Sequence, residues 1–154
     1  MSYRNAILLT ATLLFAVDAT PCQRMSPVVP EDLVAQADLI VRATAISDAD
    51  RAIRFRVDEV VKGRHAPTEI ELPGSFVAND DFNDRPVPYD FVRSEGRWGS
   101  CYASTYRKNA MYLLALKLRD GAYTVNWYAL GPVNEQLRSA RDPWLVWVRD
   151  RVRR

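Results

Sequence analysis

The chain has 154 residues, of which 48% are hydrophobic, and a formal net charge of +2. A charge so close to zero argues against a dedicated nucleic-acid binder, and the length suits one domain with a proper core. No apolar stretch beyond the first 19 residues approaches the roughly 20 residues that a transmembrane helix needs.

The N-terminus has the three-part layout of a secretory signal peptide. A short polar start precedes the uncharged apolar run AILLTATLLFAV at residues 6–17. Val17 and Ala19 then occupy positions −3 and −1 of a cut before Thr20. Because the run is too short to cross a bilayer comfortably, a cleaved signal at residues 1–19 is favoured over a membrane anchor or a buried helix. We therefore expect an exported protein, periplasmic or secreted.

The two cysteines, Cys22 and Cys101, both follow this signal. An even pair in an oxidising compartment predicts a disulfide, which is favoured over two unpaired buried thiols. The bridge would close a loop of about 80 residues, worth about 4.5 kcal/mol in the disputed chain-entropy model. Cys22 also lies close enough to the apolar run to be a lipidated cysteine. Pro21 before it should obstruct that cut, so lipid anchoring at Cys22 is the less favoured alternative.

The first half of the exported chain predicts one short helix followed by three strands. Acidic residues in the first turn of EDLVAQA, at residues 31–37, favour the helix. The segments predicted as strands are LIVRATAI (39–46), RAIRFRVDEVV (51–61) and TEIEL (68–72). In the second of these, Ile53, Phe55 and Val57 alternate with charged residues, which predicts one buried face and one wet face.

Residues 73–100 are predicted to form a long irregular loop, which in a compact domain is either functional or disordered. Trp98 is its candidate contact residue, because exposed aromatic side chains favour interfaces. Asp80, Asp81 and Asp84 could supply oxygen ligands to calcium. The glycine and the terminal glutamate of an EF-hand loop are missing, so a solvated polar loop is favoured.

A β-hairpin is predicted after Cys101. The dense apolar run MYLLALKL (111–118) suits a central strand, and AYTVNWYAL (122–130) alternates like a half-buried strand. Asp120-Gly121 between them is a strong hairpin-turn signal.

A predicted C-terminal helix completes the chain. Residues 134–140 before it are expected to form a helical turn. Asp142 suits the N-cap of the last helix, and Pro143 is tolerated at its first position. The residues predicted to share its apolar face are Trp144, Leu145, Val148 and Val152. Trp127, Trp144 and Trp147 are expected in the core. About five strands and two flanking helices predict an all-β barrel with helical additions or an α+β sheet.

Two segments carry a family resemblance. ADLIVRAT (37–44) followed by FRVDEVVKG (55–63) resembles a pattern of exported bacterial domains similar to tissue inhibitors of metalloproteinases and netrin modules. In those domains a cysteine lies near the mature N-terminus, and a later cysteine precedes an aromatic-Leu-Leu strand. Cys22, Cys101 and the YLL segment at 112–114 stand at the corresponding places.

The resemblance implies a mainly β fold: an OB-like five-stranded antiparallel barrel with a short N-terminal helix and a C-terminal helix. It would form a single domain over residues 20–154, with the long loop at 73–100. The resemblance also implies that Cys22 is bridged to Cys101 and pins the N-terminal segment to the barrel.

The sequence is poor in catalytic groups. Its single histidine, His65, lies in a polar turn, where a histidine is usually just solvated. With one histidine and paired cysteines, no common zinc site can form, and we expect no metal site and no cofactor. Arg42, Arg54 and Arg56 are expected to share an outer strand face, which OB-like barrels can use for nucleic acid. Export and near-neutral charge favour ordinary surface charge and no nucleic-acid partner.

Three functions therefore compete. The favoured hypothesis is a non-enzymatic exported domain that binds another protein or a ligand through the loop at 74–99. The second is a metalloproteinase inhibitor whose partner is a protease; in the animal family an N-terminal cysteine ligates the catalytic zinc through its free amine and carbonyl. A cut before Thr20 leaves two residues ahead of Cys22 and removes that amine. The third is a hydrolase using carboxylates among Asp80, Asp81 and Asp84, although no spacing selects a pair.

The position of the signal cut is directly testable. We expect N-terminal sequencing of the exported protein to begin at Thr20, and its intact mass to fall by two hydrogens relative to the reduced chain because Cys22 and Cys101 are bridged. A chain that begins at Cys22 would contradict the predicted cut and revive lipidation or zinc chelation.

Overall fold

The computed structural model describes residues 29–89, 104–125, 127–128, 131–132 and 134–154, with the backbone alone at 127–128 and 131–132. The signal segment, both cysteines and Trp98 lie outside these residues, as does the side chain of Trp127. The predictions made for them therefore stay predictions. Among the described residues, no helix is both long and apolar enough to span a membrane.

Two helices flank a series of strands. In chain order the described elements are α1 Pro30–Gln36, β1 Leu39–Ala49, β2 Ala52–Lys62, β3 Glu69–Pro73, β4 Ser75–Val77, β5 Thr105–Arg107, β6 Met111–Arg119, β7 Ala122–Val125, β8 Trp127–Tyr128, β9 Gly131–Pro132, β10 Glu135–Leu137 and α2 Pro143–Arg153. The mainly β character, the short N-terminal helix and the C-terminal helix are confirmed. Asp142 caps α2 as predicted, since its Oδ1 accepts a hydrogen bond from the Trp144 N–H at 2.9 Å.

The helical turn predicted at residues 134–140 is wrong. Residues 135–137 form β10, which pairs antiparallel with the start of β6. A short segment has weak helix preference, and tertiary pairing overrides it here because the edge of a buried strand needs hydrogen-bond partners.

The main sheet is antiparallel and has the order β10-β6-β1-β2-β3, with β7 pairing with the later part of β6. Asp50 and Asp120, each followed by a second residue with positive φ, begin two-residue turns at the β1–β2 and β6–β7 hairpins. The β1–β2 pairing contains three register shifts. Bulges of this kind bend and twist a strand pair, so the sheet curls.

The sheet buries apolar residues on both faces. On the concave side, the inner cluster contains Leu39, Val41, Ala43, Ala45, Ile53, Phe55, Ile70, Leu72, Tyr106, Tyr112, Leu114, Leu116 and Val125. On the other side, the helix-side cluster contains Leu33, Val34, Ala37, Ile40, Tyr89, Leu113, Ala115, Leu137, Trp144, Leu145 and Val148. The second list includes three of the four residues predicted on the apolar face of α2, and Val152 packs against them.

Three aromatic rings occupy the centre of the inner cluster. Phe55, Tyr106 and Tyr112 meet edge to face, with ring centroids 4.9 to 5.8 Å apart. The facing positions on β1 are alanines: Ala45 lies opposite Phe55, and Ala43 lies opposite Tyr112. Small residues opposite large ones give the rings their space.

The curled sheet does not close into a barrel. Within the described ranges no ladder joins β3 to β7, although the two strands lie next to each other. The OB-like five-stranded barrel implied by the resemblance is therefore not confirmed, whereas an antiparallel sheet curled around one apolar cluster is.

Lys62, in the VKG segment of the family pattern, holds α1 against the sheet. Its Nζ donates hydrogen bonds to the carbonyl oxygens of Val34, Ala35 and Ala37 at 2.7, 2.9 and 2.6 Å. Carbonyls at the end of a helix lack partners within the helix and carry the negative end of its dipole. One ammonium group therefore satisfies the C-terminal end of α1.

Gly63 is required beside this lysine. Its φ of 107° lies in the left-handed region, and a Cβ there would approach Leu39 Cδ1 to 2.9 Å and the Asp38 carbonyl to 3.2 Å. The same Asp38 accepts a hydrogen bond from the Leu118 N–H at 2.9 Å, and this bond lowers the pKa of its carboxyl group. The contacts join the end of β2 to the α1–β1 corner.

Replacing Lys62 with methionine keeps the aliphatic stem but removes three donors from partly buried carbonyls. We expect the free energy of unfolding, measured by urea titration, to fall by about 1–3 kcal/mol. The matched control is Lys117→Met, because the one ion pair of Lys117 among the described residues is a 3.4 Å contact with Asp38; this change should alter stability by less than about 0.5 kcal/mol. Equal losses of stability in the two variants would contradict the role of Lys62 in holding α1 against the sheet.

Candidate functional site

Residues 74–89, the first part of the predicted irregular segment, are held against the sheet. β4 pairs in parallel with β5, so the start and the end of the segment between these two strands lie next to each other. Gly74 permits this approach, since a Cβ there would lie 2.3 Å from the Ser104 carbonyl. Phe82 then bridges to Gln136 of β10. We call residues 79–89 the anchored loop, and the prediction of irregular structure is corrected at β4.

Buried polar side chains of β10 hold the anchored loop. Gln136 Oε1 accepts a hydrogen bond from the Asp81 N–H at 2.8 Å, and its Nε2 donates to Asp80 Oδ1 at 2.5 Å. Asn83 Nδ2 donates to Glu135 Oε1 at 3.0 Å. Glu135 is 0% exposed and Asn83 2% exposed, so these bonds are made out of contact with water.

Two arginines fasten the outer side of the anchored loop. Arg107 of β5 pairs with Asp80, and this hydrogen bond lowers the pKa of the Asp80 carboxyl group. Arg138 contacts Asp84 at 2.6 Å and also donates to the Asn83 carbonyl at 3.0 Å. The loop is therefore held by hydrogen bonds of buried polar groups inside and by ion pairs at its rim.

The end of the anchored loop packs on α2. The ring of Tyr89 stacks on Trp144, with centroids 5.0 Å apart. Burial raises the pKa of Tyr89, and the nearby carboxylates of Asp142 and Glu135 raise it further. Asp142 links α2 to Arg138, which contacts the loop: the carboxylate that caps α2 also accepts a hydrogen bond from the Arg138 N–H at 3.0 Å. The position of the loop is thus tied to the start of the helix.

The predicted site residues have different environments. Asp81 is 9% exposed, whereas the side chain of Asp84 is 90% exposed and that of Asp80 is 35% exposed. The part of the chain that the structure describes contains no group of three His, Cys, Asp or Glu side chains able to hold a metal ion. The acidic run is not a simple solvated loop either, because Asp81 and Asn83 are buried. His65 is exposed, and its carbonyl accepts a hydrogen bond from Tyr123.

Three buried polar residues at and beside β10 were not predicted from the sequence. Asn134, Glu135 and Gln136 are consecutive and all buried. Asn134 Oδ1 accepts from the Ala115 N–H at 3.3 Å, and its Nδ2 donates to Tyr106 Oη at 3.4 Å. A run of three polar residues is typical of a surface segment, so the sequence carries no signal of their burial.

The outer face of β1–β3 carries an ionic ladder. It contains four arginines and four carboxylates, namely Arg42, Arg54, Arg56, Arg149, Asp58, Glu59, Glu69 and Glu71. Glu59 contacts both Arg42 and Arg149, whose guanidinium groups lower the pKa of its carboxyl group. The three arginines expected to share this face do so, and each has a carboxylate partner. A nucleic-acid surface, in contrast, needs an excess of positive charge.

The chain matches no protein-family model and no curated protein. The resemblance to tissue inhibitors of metalloproteinases and netrin modules therefore rests on the sequence pattern alone.

Removing the amide of Asn83 would leave the Oε1 atom of the buried Glu135 carboxylate without its donor. We expect Asn83→Ala to lower the free energy of unfolding by about 2–4 kcal/mol, measured by urea titration. The control, Asp84→Ala, removes a 90% exposed carboxylate and should cost less than about 1 kcal/mol.

A double-mutant cycle isolates the interaction. Adding Glu135→Gln to Asn83→Ala removes the buried charge, so the double variant should lose less than the sum of the single changes. Additive losses of stability would contradict a stabilising Asn83–Glu135 interaction. An Asn83→Ala variant as stable as Asp84→Ala would contradict it as well.

Proposed function

We propose that this chain is an exported, non-enzymatic binding domain with an OB-like barrel, and that the loop at residues 74–99 makes its contacts with another protein. One observation carries the proposal: fully buried polar side chains, above all Glu135 and Asn83, hold the first part of this loop in one position.

Such an anchor is costly for a loop that only connects two strands. Each buried polar group loses hydration, and a carboxylate loses far more than an amide unless its hydrogen bonds are made. Satisfied polar networks in return give a segment one defined position. Loops held on a rigid scaffold are where proteins most often place their binding residues. The anchored loop fits this description, which supports a contact role.

The order of the strands supports the OB-like part of the proposal. β1 lies between β2 and β6, β3 follows β2, and β7 follows β6. β3 and β7 then lie side by side, so the five strands follow one another in a ring around the inner cluster. A partly open five-stranded barrel has this kind of ring.

The described ionisable groups support binding rather than catalysis. Asp80, Asp84 and Glu59 each form an ion pair with an arginine. A general acid or base needs a proton-transfer pKa near the working pH. The pKa values of Asp80 and Glu59 are instead lowered by their partners. The signal-like segment at residues 1–19 supports export.

Two surface variants of the exported protein test the contact role. The first is Val77→Ser combined with Asp84→Ala, both exposed on the loop, and the second is Trp98→Ala. Proteins captured from the envelope and culture fractions by the wild-type chain should fall at least about fivefold in one of them, because contact residues at interfaces commonly contribute more than 1 kcal/mol.

The matched control is Arg154→Ala, a 66% exposed side chain next to the C-terminal end of α2, which should leave capture unchanged. Capture at the wild-type level by both loop variants would contradict the proposal, as would an equal loss in the control. Circular dichroism of each variant would show that the fold is retained.

A further inference from the structure

β3 and β7 face each other with unpaired edges. β3 pairs with β2 on one side, and β7 pairs with β6 on one side. Among the described residues neither strand has a partner on its other edge, although the two lie next to each other. We call this gap the seam. Along each edge, alternate residues present backbone N–H and C=O groups that pair with no described strand, and such groups can pair with an extended chain.

In the part of the chain that the structure describes, one side-chain hydrogen bond bridges the seam, at one end of it. Tyr123 Oη of β7 donates to the His65 carbonyl in the β2–β3 connection at 3.0 Å. Behind the seam lie Ile70, Leu72 and Val125 of the inner cluster. Opening the seam therefore breaks this exposed bond, separates apolar side chains of β3 and β7 and admits a chain beside them.

Charge is unevenly spread along the free edge of β3. Glu69 and Glu71 both face outward and share one cation, Arg54, at 3.5 and 3.0 Å. Their side chains are 47% and 60% exposed. Glu59, at the other end of the ionic ladder, contacts two arginines, one of which, Arg42, also lies 3.9 Å from Asp58. In the described ion pairs, the edge of β3 thus carries two carboxylates for one guanidinium, since Arg56, opposite Glu69 in the register, pairs with Asp58.

We propose that the seam is a second interaction surface, which takes an extended peptide strand with basic residues at alternate positions. The strand pairs with β3 through backbone hydrogen bonds, the mode by which free sheet edges bind peptides. Glu69 and Glu71 are two residues apart and face the same way, so they match basic side chains two residues apart on the added strand. Its alternate residues face the inner cluster and are apolar. This surface is separate from the anchored loop, which is held on β10 and α2.

The probes are two synthetic peptides, acetyl-KVKVK-amide and acetyl-EVEVE-amide, titrated into isotope-labelled protein while amide NMR shifts are recorded. We expect the lysine peptide to bind at least about tenfold tighter, because opposite charges across strands attract and like charges repel. The shifts should be largest in β3. A lysine peptide N-methylated at alternate residues should not bind, since it cannot form the ladder.

Two variants sharpen the test. Tyr123→Phe removes the bond across the seam without removing the ring, and should tighten binding of the lysine peptide about two- to tenfold. Glu69→Lys combined with Glu71→Lys should reverse the preference between the two peptides. Asp84→Ala, on the anchored loop, is the control and should leave both affinities unchanged.

The proposal is overturned if the lysine peptide shifts no β3 amide in either the wild type or Tyr123→Phe. It is equally overturned if N-methylation leaves binding intact, or if the charge reversal does not exchange the preference. Tighter binding after Tyr123→Phe with a reversed preference in the charge variant would establish it.

Discussion

The burial of residues 112–116 of β6 on both faces is the constraint on which the rest of the structure depends. Tyr112, Leu114 and Leu116 point into the inner cluster, and Leu113 and Ala115 point into the helix-side cluster. A strand with no wet face needs cover on both sides and hydrogen-bond partners on both edges. The curled sheet covers one face and the two helices cover the other. β1 pairs with one edge, while β7 and β10 divide the second edge between them.

The buried polar residues of β10 that hold the anchored loop follow from the way β7 and β10 share the second edge of β6. β7 takes the later part of β6, so the edge at its start is left for β10, whose residues become buried although they are polar. Once Glu135 and Gln136 are buried, their side chains need hydrogen-bond partners, and the anchored loop supplies Asn83, Asp80 and the Asp81 N–H. The loop is therefore positioned by the same strand that completes the sheet.

The local sequence pattern was sufficient to predict helices and strands in which apolar residues recur at regular spacing. It was insufficient for segments whose structure depends on residues distant in the sequence. Alternation predicted β2, apolar density predicted β6, and Asp142 with Pro143 predicted the start of α2. β10 could not be predicted, because Asn134, Glu135 and Gln136 are buried by partners at least 19 residues away in the sequence. For the same reason the acidic run could be located in the sequence, while the burial of Asp81 and the exposure of Asp84 could not.

The two proposed surfaces have opposite physical characters because the arginines are unequally distributed. Arg149 of α2 reaches Glu59, so the end of the ladder near the helices is charge-saturated and ties α2 to the sheet. No helix residue reaches Glu69 or Glu71 among the described contacts, and β3 keeps both its unpaired edge and its surplus carboxylate. The anchored loop, in contrast, is held by bonds that are already made. A partner of the anchored loop therefore binds a preformed surface, and the protein loses little conformational freedom on binding. A strand that binds at the seam must first displace the Tyr123 hydrogen bond.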